Sequence, residues 1–203
     1  MIAAIARLAG IAVVATSLAA APAWAQKSAS APGGGASMAA AGSAKLARAD
    51  TSFMNSAARA GLAEVEGSKL AQNKGVNTQV KGFAQQMIDD HEKAHKELQS
   101  LAESKGVKLP DAPSLAQRAK IKLLSARDGA GFDRQYASSI GVSAHEDAVK
   151  LFQKAARDAK DADVKAFAAK TLPTLEHHLQ MARELKATVD KEGNAKAPTD
   201  RKQ

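Results

Sequence analysis

The sequence predicts an all-α fold: four long helices arranged as two antiparallel hairpins, joined by a long crossover that carries a short extra helix. Three observations predict it. Ala, Lys, Glu, Gln and Leu dominate residues 50–190, all of them strong helix formers, and no run of β-branched residues interrupts them. Apolar residues in that region recur every three or four positions, the period of a helix with one buried face. The breaks are few: two short links and one connection of about 25 residues.

Residues 1–25 have the shape of a secretory signal, with Arg7 before an apolar run over residues 8–20 and the small-x-small pattern Ala23-Trp24-Ala25. Cleavage is expected after Ala25, releasing a periplasmic or secreted protein with no transmembrane span. An uncleaved anchor is the competing reading, but the run is short and Ala-rich for a membrane span of about 20 apolar residues. Residues 26–49 are Ala, Ser and Gly with few charges, a flexible linker with nothing to bury.

The domain is expected over residues 50–190. Its first helix should run over about residues 51–74, capped by Asp50 or Thr51 and stopped at Gly75. Asn77 is the expected cap of a second helix that ends before Gly106. The link between them is so short that the two helices must be antiparallel neighbours. Residues 107–113 are extended and hold two prolines. Ser114 and Gln117 then form a capping box that opens a short helix to about residue 126. Residues 128–131 break it, and a third helix should run over about residues 132–157. Asp161 is the expected cap of a fourth helix, which reaches about Val189 and contains Pro173, a point of bending. Residues 191–203 read as a disordered tail.

The long middle connection decides the topology. A helix of about 25 residues is about 37 Å long, and a connection of similar residue count can return along such a bundle. An up-down-up-down bundle needs only a short loop there, so the link points to a ferritin-like arrangement with one crossover. A faint internal repeat accompanies it. Residues 69–72 resemble 150–153, and residues 80–84 resemble 164–168, as if a hairpin had been duplicated.

Composition removes several function classes. There is no cysteine, so thiolate ligands, thiol nucleophiles, disulfides and a lipidated N-terminus are all excluded. The formal net charge of +8 suggests weak attraction to anionic surfaces. One Tyr and one Trp, the latter inside the signal, leave no aromatic platform for bases, so nucleic-acid binding is not expected. No Gly-rich phosphate loop or nucleophile elbow is present.

The chemistry-bearing residues centre on residues 85–98, QQMIDDHEKAHKEL. Val80, Phe83, Met87, His91, Ala94 and Leu98 form one helical stripe, with His91 in its middle. Val142, His145, Val149, Phe152 and Ala156 form a second. Val164, Phe167, Thr171, Leu175, His178, Ala182, Leu185 and Val189 form a third. In the first helix, Ala57, Ala60, Glu64, Gly67 and Ala71 make a face of small residues that includes Glu64, whereas Glu66 lies on another face. Each long helix therefore points one ionisable group inward, at similar depth. His95 and His177 are expected to be exposed. Asp89, Asp90 and Glu92 are expected on the solvated face.

Residues 61–71, 80–91, 132–136, 145–152 and 167–179 together resemble the bacterial family called domain of unknown function 4142, over about residues 50–188. The resemblance implies a ferritin-like fold and an exported protein, and no established activity. The polar members carried over are Glu64, Glu66, His91, His145 and His178.

Two readings of the inward groups stand side by side. Three imidazoles and a carboxylate, His91, His145, His178 and Glu64, could hold zinc, iron or manganese in the bundle core. Alternatively they pair with one another, His91 with Glu64 and His145 with His178 through water, and fix helix register. A di-iron centre needs more carboxylates: Glu92-Lys93-Ala94-His95 fits one Glu-x-x-His, but Thr174 and Leu175 stand where the second Glu is needed. The sequence therefore leads to an exported helical-bundle protein without demonstrated enzymatic chemistry, a binding or stress-related helper. Its alternatives are a metal-binding protein and a degenerate di-iron oxidoreductase.

Overall fold

A computed structural model describes residues 46–195 of the 203. The expected signal, nearly all of the linker and residues 196–203 of the expected tail lie outside the described residues. The fold is an all-α bundle. Its elements are α1 (Arg48–Lys74), α2 (Thr78–Ser104), α3 (Leu115–Ser125), α4 (Gly129–Tyr136), a π-helical segment (Ala137–Ala144), α5 (His145–Asp158) and α6 (Ala162–Ala195). The π-helical segment joins α4 and α5 into one composite helix. None of these helices is long and apolar enough to cross a membrane.

Local sequence explains most boundaries. The Asn77 side chain accepts from the Gln79 and Val80 N–H groups, and Asp161 does the same for Asp163 and Val164. Ser114 and Gln117 make the expected capping box. Gly106 adopts φ +65°, which ends α2 in the left-handed region that glycine tolerates. Gly75 ends α1 differently, in an extended conformation. A Cβ there would sit 2.6 Å from the Ala71 carbonyl oxygen, so close approach is what requires glycine.

Three expectations change. The third helix begins at Gly129 rather than near residue 132, and it is not a continuous α-helix. The fourth runs to Ala195, so the first residues of the expected tail are helical. Asp50 does not cap its own helix. It lies buried in the first turn of α1, and its carboxylate accepts the N–H groups of Lys160 and Asp161, in the α5–α6 turn.

That contact has a counterpart at the other end. Asp133 of α4 accepts the N–H groups of Val76 and Asn77, in the α1–α2 turn. Burial raises the Asp133 pKa, and these backbone donors oppose the rise. Each hairpin thus offers a buried carboxylate from its first helix to the turn of the other. These contacts also set the direction of the helices. The start of α2 and the start of the composite helix share one end. Lys105, just past α2, meets Asp161 and Asp163 at the other. The segment after α2 therefore returns along the bundle, as the ferritin-like crossover requires.

The two clasps also measure the internal repeat. Asp50 and Asp133 are 83 positions apart, whereas the caps Asn77 and Asp161 are 84 apart. Residues 80–84 and 164–168 keep this spacing and are true equivalents. Residues 69–72 and 150–153 are 81 apart, nearly one helical turn out of register, so their likeness is not positional. The composite helix carries one residue more than α1 between clasp and cap, and the π-helical segment is where a surplus residue is absorbed.

The core has two apolar clusters. One joins Phe53, Met54, Leu98, Phe152, Phe167 and Leu175. The other joins Val80, Phe83, Met87, Phe132, Tyr136, Ile140 and Leu185. Between them lies a polar layer with one member from each long helix.

Candidate metal centre

The polar layer consists of Glu64 on α1, His91 on α2, His145 at the start of α5 and His178 on α6, all buried. The stripes read from the sequence place them there. The three imidazole rings form a nearly equilateral triangle, with centroids 5.4–5.5 Å apart. One ring nitrogen from each lies within 4.8 Å of the others.

Each ring has one nitrogen already engaged on its outer side. His91 Nδ1 lies 3.3 Å from Glu64 Oε2. His145 Nδ1 lies 3.1 Å from the Ile140 carbonyl oxygen, which can only accept, so this nitrogen carries the proton. His178 Nε2 lies 2.9 Å from Asp90 Oδ2. The nitrogens left over are His91 Nε2, His145 Nε2 and His178 Nδ1. The first two face each other at 3.4 Å, and the third is buried without any partner. With Glu64 ionised, both facing nitrogens present lone pairs to one another. That contact is repulsive unless a cation lies between them.

A separation of 3.4 Å also matches two imidazole nitrogens held at 2.0–2.1 Å by one tetrahedral ion. The outer contacts follow the usual second-layer pattern, in which a carboxylate or carbonyl takes the other N–H of each ligating histidine. The residues therefore fit a mononuclear three-histidine centre.

Glu64 takes a different place from the one expected. Its oxygens lie 3.3 and 3.7 Å from the Nδ1 atoms of His91 and His145, on the outer side of those rings. It is outside the group of three whose ligand atoms lie within 4.8 Å of one another. Its Oε1 has no hydrogen-bond partner. Burial raises its pKa, opposed by the nearby His145. Burial, then His145 and His178, push His91 well below the ordinary imidazole value. Burial also lowers His178, against the hydrogen bond it donates to Asp90.

The sequence missed two contributors. Asp90, expected on the solvated face, is the partner of His178. It follows Met87 by three positions, so it borders the stripe, and that spacing was the available signal. The Ile140 carbonyl reaches His145 through the π-helical segment, which nothing in residues 137–144 announces. His95, expected to be exposed, is half-buried. It lines a cavity of about 40 Å³ next to His91 and His178, and its Nδ1 is buried without a partner. His177 is exposed, as read, and Glu66, on its separate face, is exposed as well. Glu92 is partly exposed and pairs with Lys69.

A family model described as "Domain of unknown function (DUF4142)" matches residues 35–185. The chain belongs to this family. The DUF4142 chain also resembles solved structures at low sequence identity, which speaks to the fold alone. A DUF305 fragment from Deinococcus radiodurans superposes with a TM-score of 0.62 at 12% identity, covering 73% of this chain and 99% of that one. A candidate spore coat protein from Bacillus halodurans gives 0.57 at 15% identity, covering 79% and 98%. A conserved hypothetical protein from Mycobacterium tuberculosis gives 0.50 at 16%, covering 76% and 97%. No curated protein matches the DUF4142 chain.

Proposed function

We propose that this DUF4142 protein binds one divalent metal ion through His91 Nε2, His145 Nε2 and His178 Nδ1. The observation that carries the proposal is the pairing of every outer ring nitrogen with an acceptor while the inner nitrogens converge. A nitrogen-rich set without thiolate suits zinc or iron. Manganese prefers more oxygen donors. Three protein ligands leave a position for water or a small ligand, where such an ion acts as a Lewis acid. A di-iron centre is disfavoured: among the described residues, Glu64 and Asp90 are the carboxylates that touch the triad, and Glu92 is engaged with Lys69.

The raised pKa of Glu64 favours a second, metal-free reading. A protonated Glu64 donates to His91 Nδ1, and His91 Nε2–H then donates to His145 Nε2. Every distance is compatible, and the layer becomes a neutral relay that sets helix register.

Elemental analysis of the untagged protein, with and without added zinc, iron or manganese, separates the two. Metal binding predicts about one equivalent, lost in His91→Ala. It also predicts a gain of about 3 kcal/mol at a hundredfold excess over Kd, about 5–10 °C in Tm. No bound metal at micromolar concentrations with an unchanged Tm assigns the layer to the neutral relay. We further propose that the protein works outside the cytoplasm, on the pattern of residues 1–25. N-terminal sequencing of protein from the cell envelope should then begin at Gln26.

A further inference from the structure

The short helix of the crossover is unlike the rest of the bundle. Three large apolar side chains are strongly exposed among the described residues, and two lie on α3: Leu115 at 79% and Leu123 at 72%. One side of α3 is anchored, by buried Leu124 with half-buried Gln117 and Ile121. At about 100° per residue, exposed Leu115, Ala116, Ala119, Leu123 and Ala126 fall together in an arc of about 100° on the opposite side. Exposed Lys122 and Arg118 border that arc on one edge, and exposed Lys120 and Arg127 on the other. Residues 114–127 contain four cations and no acid. None of the four side chains forms an ion pair with a described residue; the nearest acid in sequence, Asp128, pairs with Lys74.

We propose that α3 is a docking element for an anionic lipid surface. An apolar strip between two rows of cations is the arrangement of a helix that lies flat in a headgroup layer. The leucines sink toward the acyl chains, and the cations stay level with the phosphates and extend their stems along the strip. The charge pattern favours this occupant over another protein surface, because both borders carry the same sign. The anchored side keeps α3 on the bundle while the opposite side is in the membrane, so docking needs no unfolding. This inference is independent of the metal centre.

Co-sedimentation of the full chain with vesicles tests it. The protein should sediment with vesicles of equal parts phosphatidylglycerol and phosphatidylcholine, and not with phosphatidylcholine alone. The double variant Leu115→Asn, Leu123→Asn keeps the net charge and touches no core residue. It should keep the parent Tm and lose at least tenfold in partitioning. Lys122→Glu should lose at least fivefold. The proposal is overturned if the parent does not sediment, if neutral vesicles bind equally, or if the double variant sediments like the parent. It is also overturned if the double variant changes the oligomeric state and not vesicle binding, which would assign the face to a second copy of the chain.

Discussion

Asp90 and Glu64 do similar work on different members of the histidine triangle. Asp90 accepts the Nε2–H of His178 and Glu64 lies 3.3 Å from His91 Nδ1, so each bears on which nitrogen faces inward. Asp90→Asn keeps the shape of the side chain and removes the charge, so metal affinity should fall about tenfold while the fold persists. Competition with a chelator measures this. Glu64→Gln should weaken binding by a similar factor, whereas loss of all binding would return Glu64 to the ligand set. The metal-free protein should also lose stability in acid. His91 and His178 have lowered values in the fold, and unfolding returns them to about 6.5. Below that pH the unfolded chain binds more protons than the folded one, so Tm should drop as pH falls from about 6.5 towards 5. Glu64 works in the opposite sense. Its contribution is complete below its unfolded value and fades as pH rises through its raised one. A flat profile would mean that the imidazoles are hydrated. The inward histidines were legible in the sequence because apolar neighbours at helical spacing bracket them. Asp90 was not, because a carboxylate on the border of a stripe reads the same whether it meets water or a ring nitrogen.

The π-helical segment between α4 and α5 connects the site to the packing of its surroundings. Ile140 lies in it, and its carbonyl holds His145. Its side chain rests on Gly67 of α1, where an added Cβ would meet three Ile140 carbons at 3.0–3.3 Å. A residue with a side chain at 67 must push Ile140, and with it the carbonyl that orients His145. Gly67→Val should therefore cost about 1–3 kcal/mol in urea unfolding and weaken metal binding, although Gly67 touches no ligand. If binding were unchanged, the segment would be a packing feature alone. Nothing in Ala-Ser-Ser-Ile-Gly-Val-Ser-Ala distinguishes a π-helical turn from an α-helical one. The surplus residue shows only when the two hairpins are aligned on their clasps, and those clasps are tertiary contacts.

At the scale of the molecule, the hairpins, the crossover and the direction of every helix follow from helix formers, caps and link lengths, and these were legible. The clasps were not. Asp50 stands where a cap would stand, and its use by the turn of the other hairpin depends on a partner 110 residues away. Removing either carboxylate leaves two backbone N–H groups without their partner. Asp50→Ala and Asp133→Ala should each cost about 2–4 kcal/mol. The two clasps lie at opposite ends of the bundle, so the double variant should be additive within about 0.5 kcal/mol in equilibrium unfolding. The clasps also bear on the order in which the bundle assembles. Each hairpin can close on its own short link, but neither carboxylate meets its turn until one hairpin has docked along the other. The clasps should therefore close after the rate-limiting step. In stopped-flow chevrons the two substitutions should leave the refolding limb nearly in place and raise the unfolding limb. The pair of aspartates would then act as latches that set how long the assembled bundle lasts, and have little influence on how fast it forms.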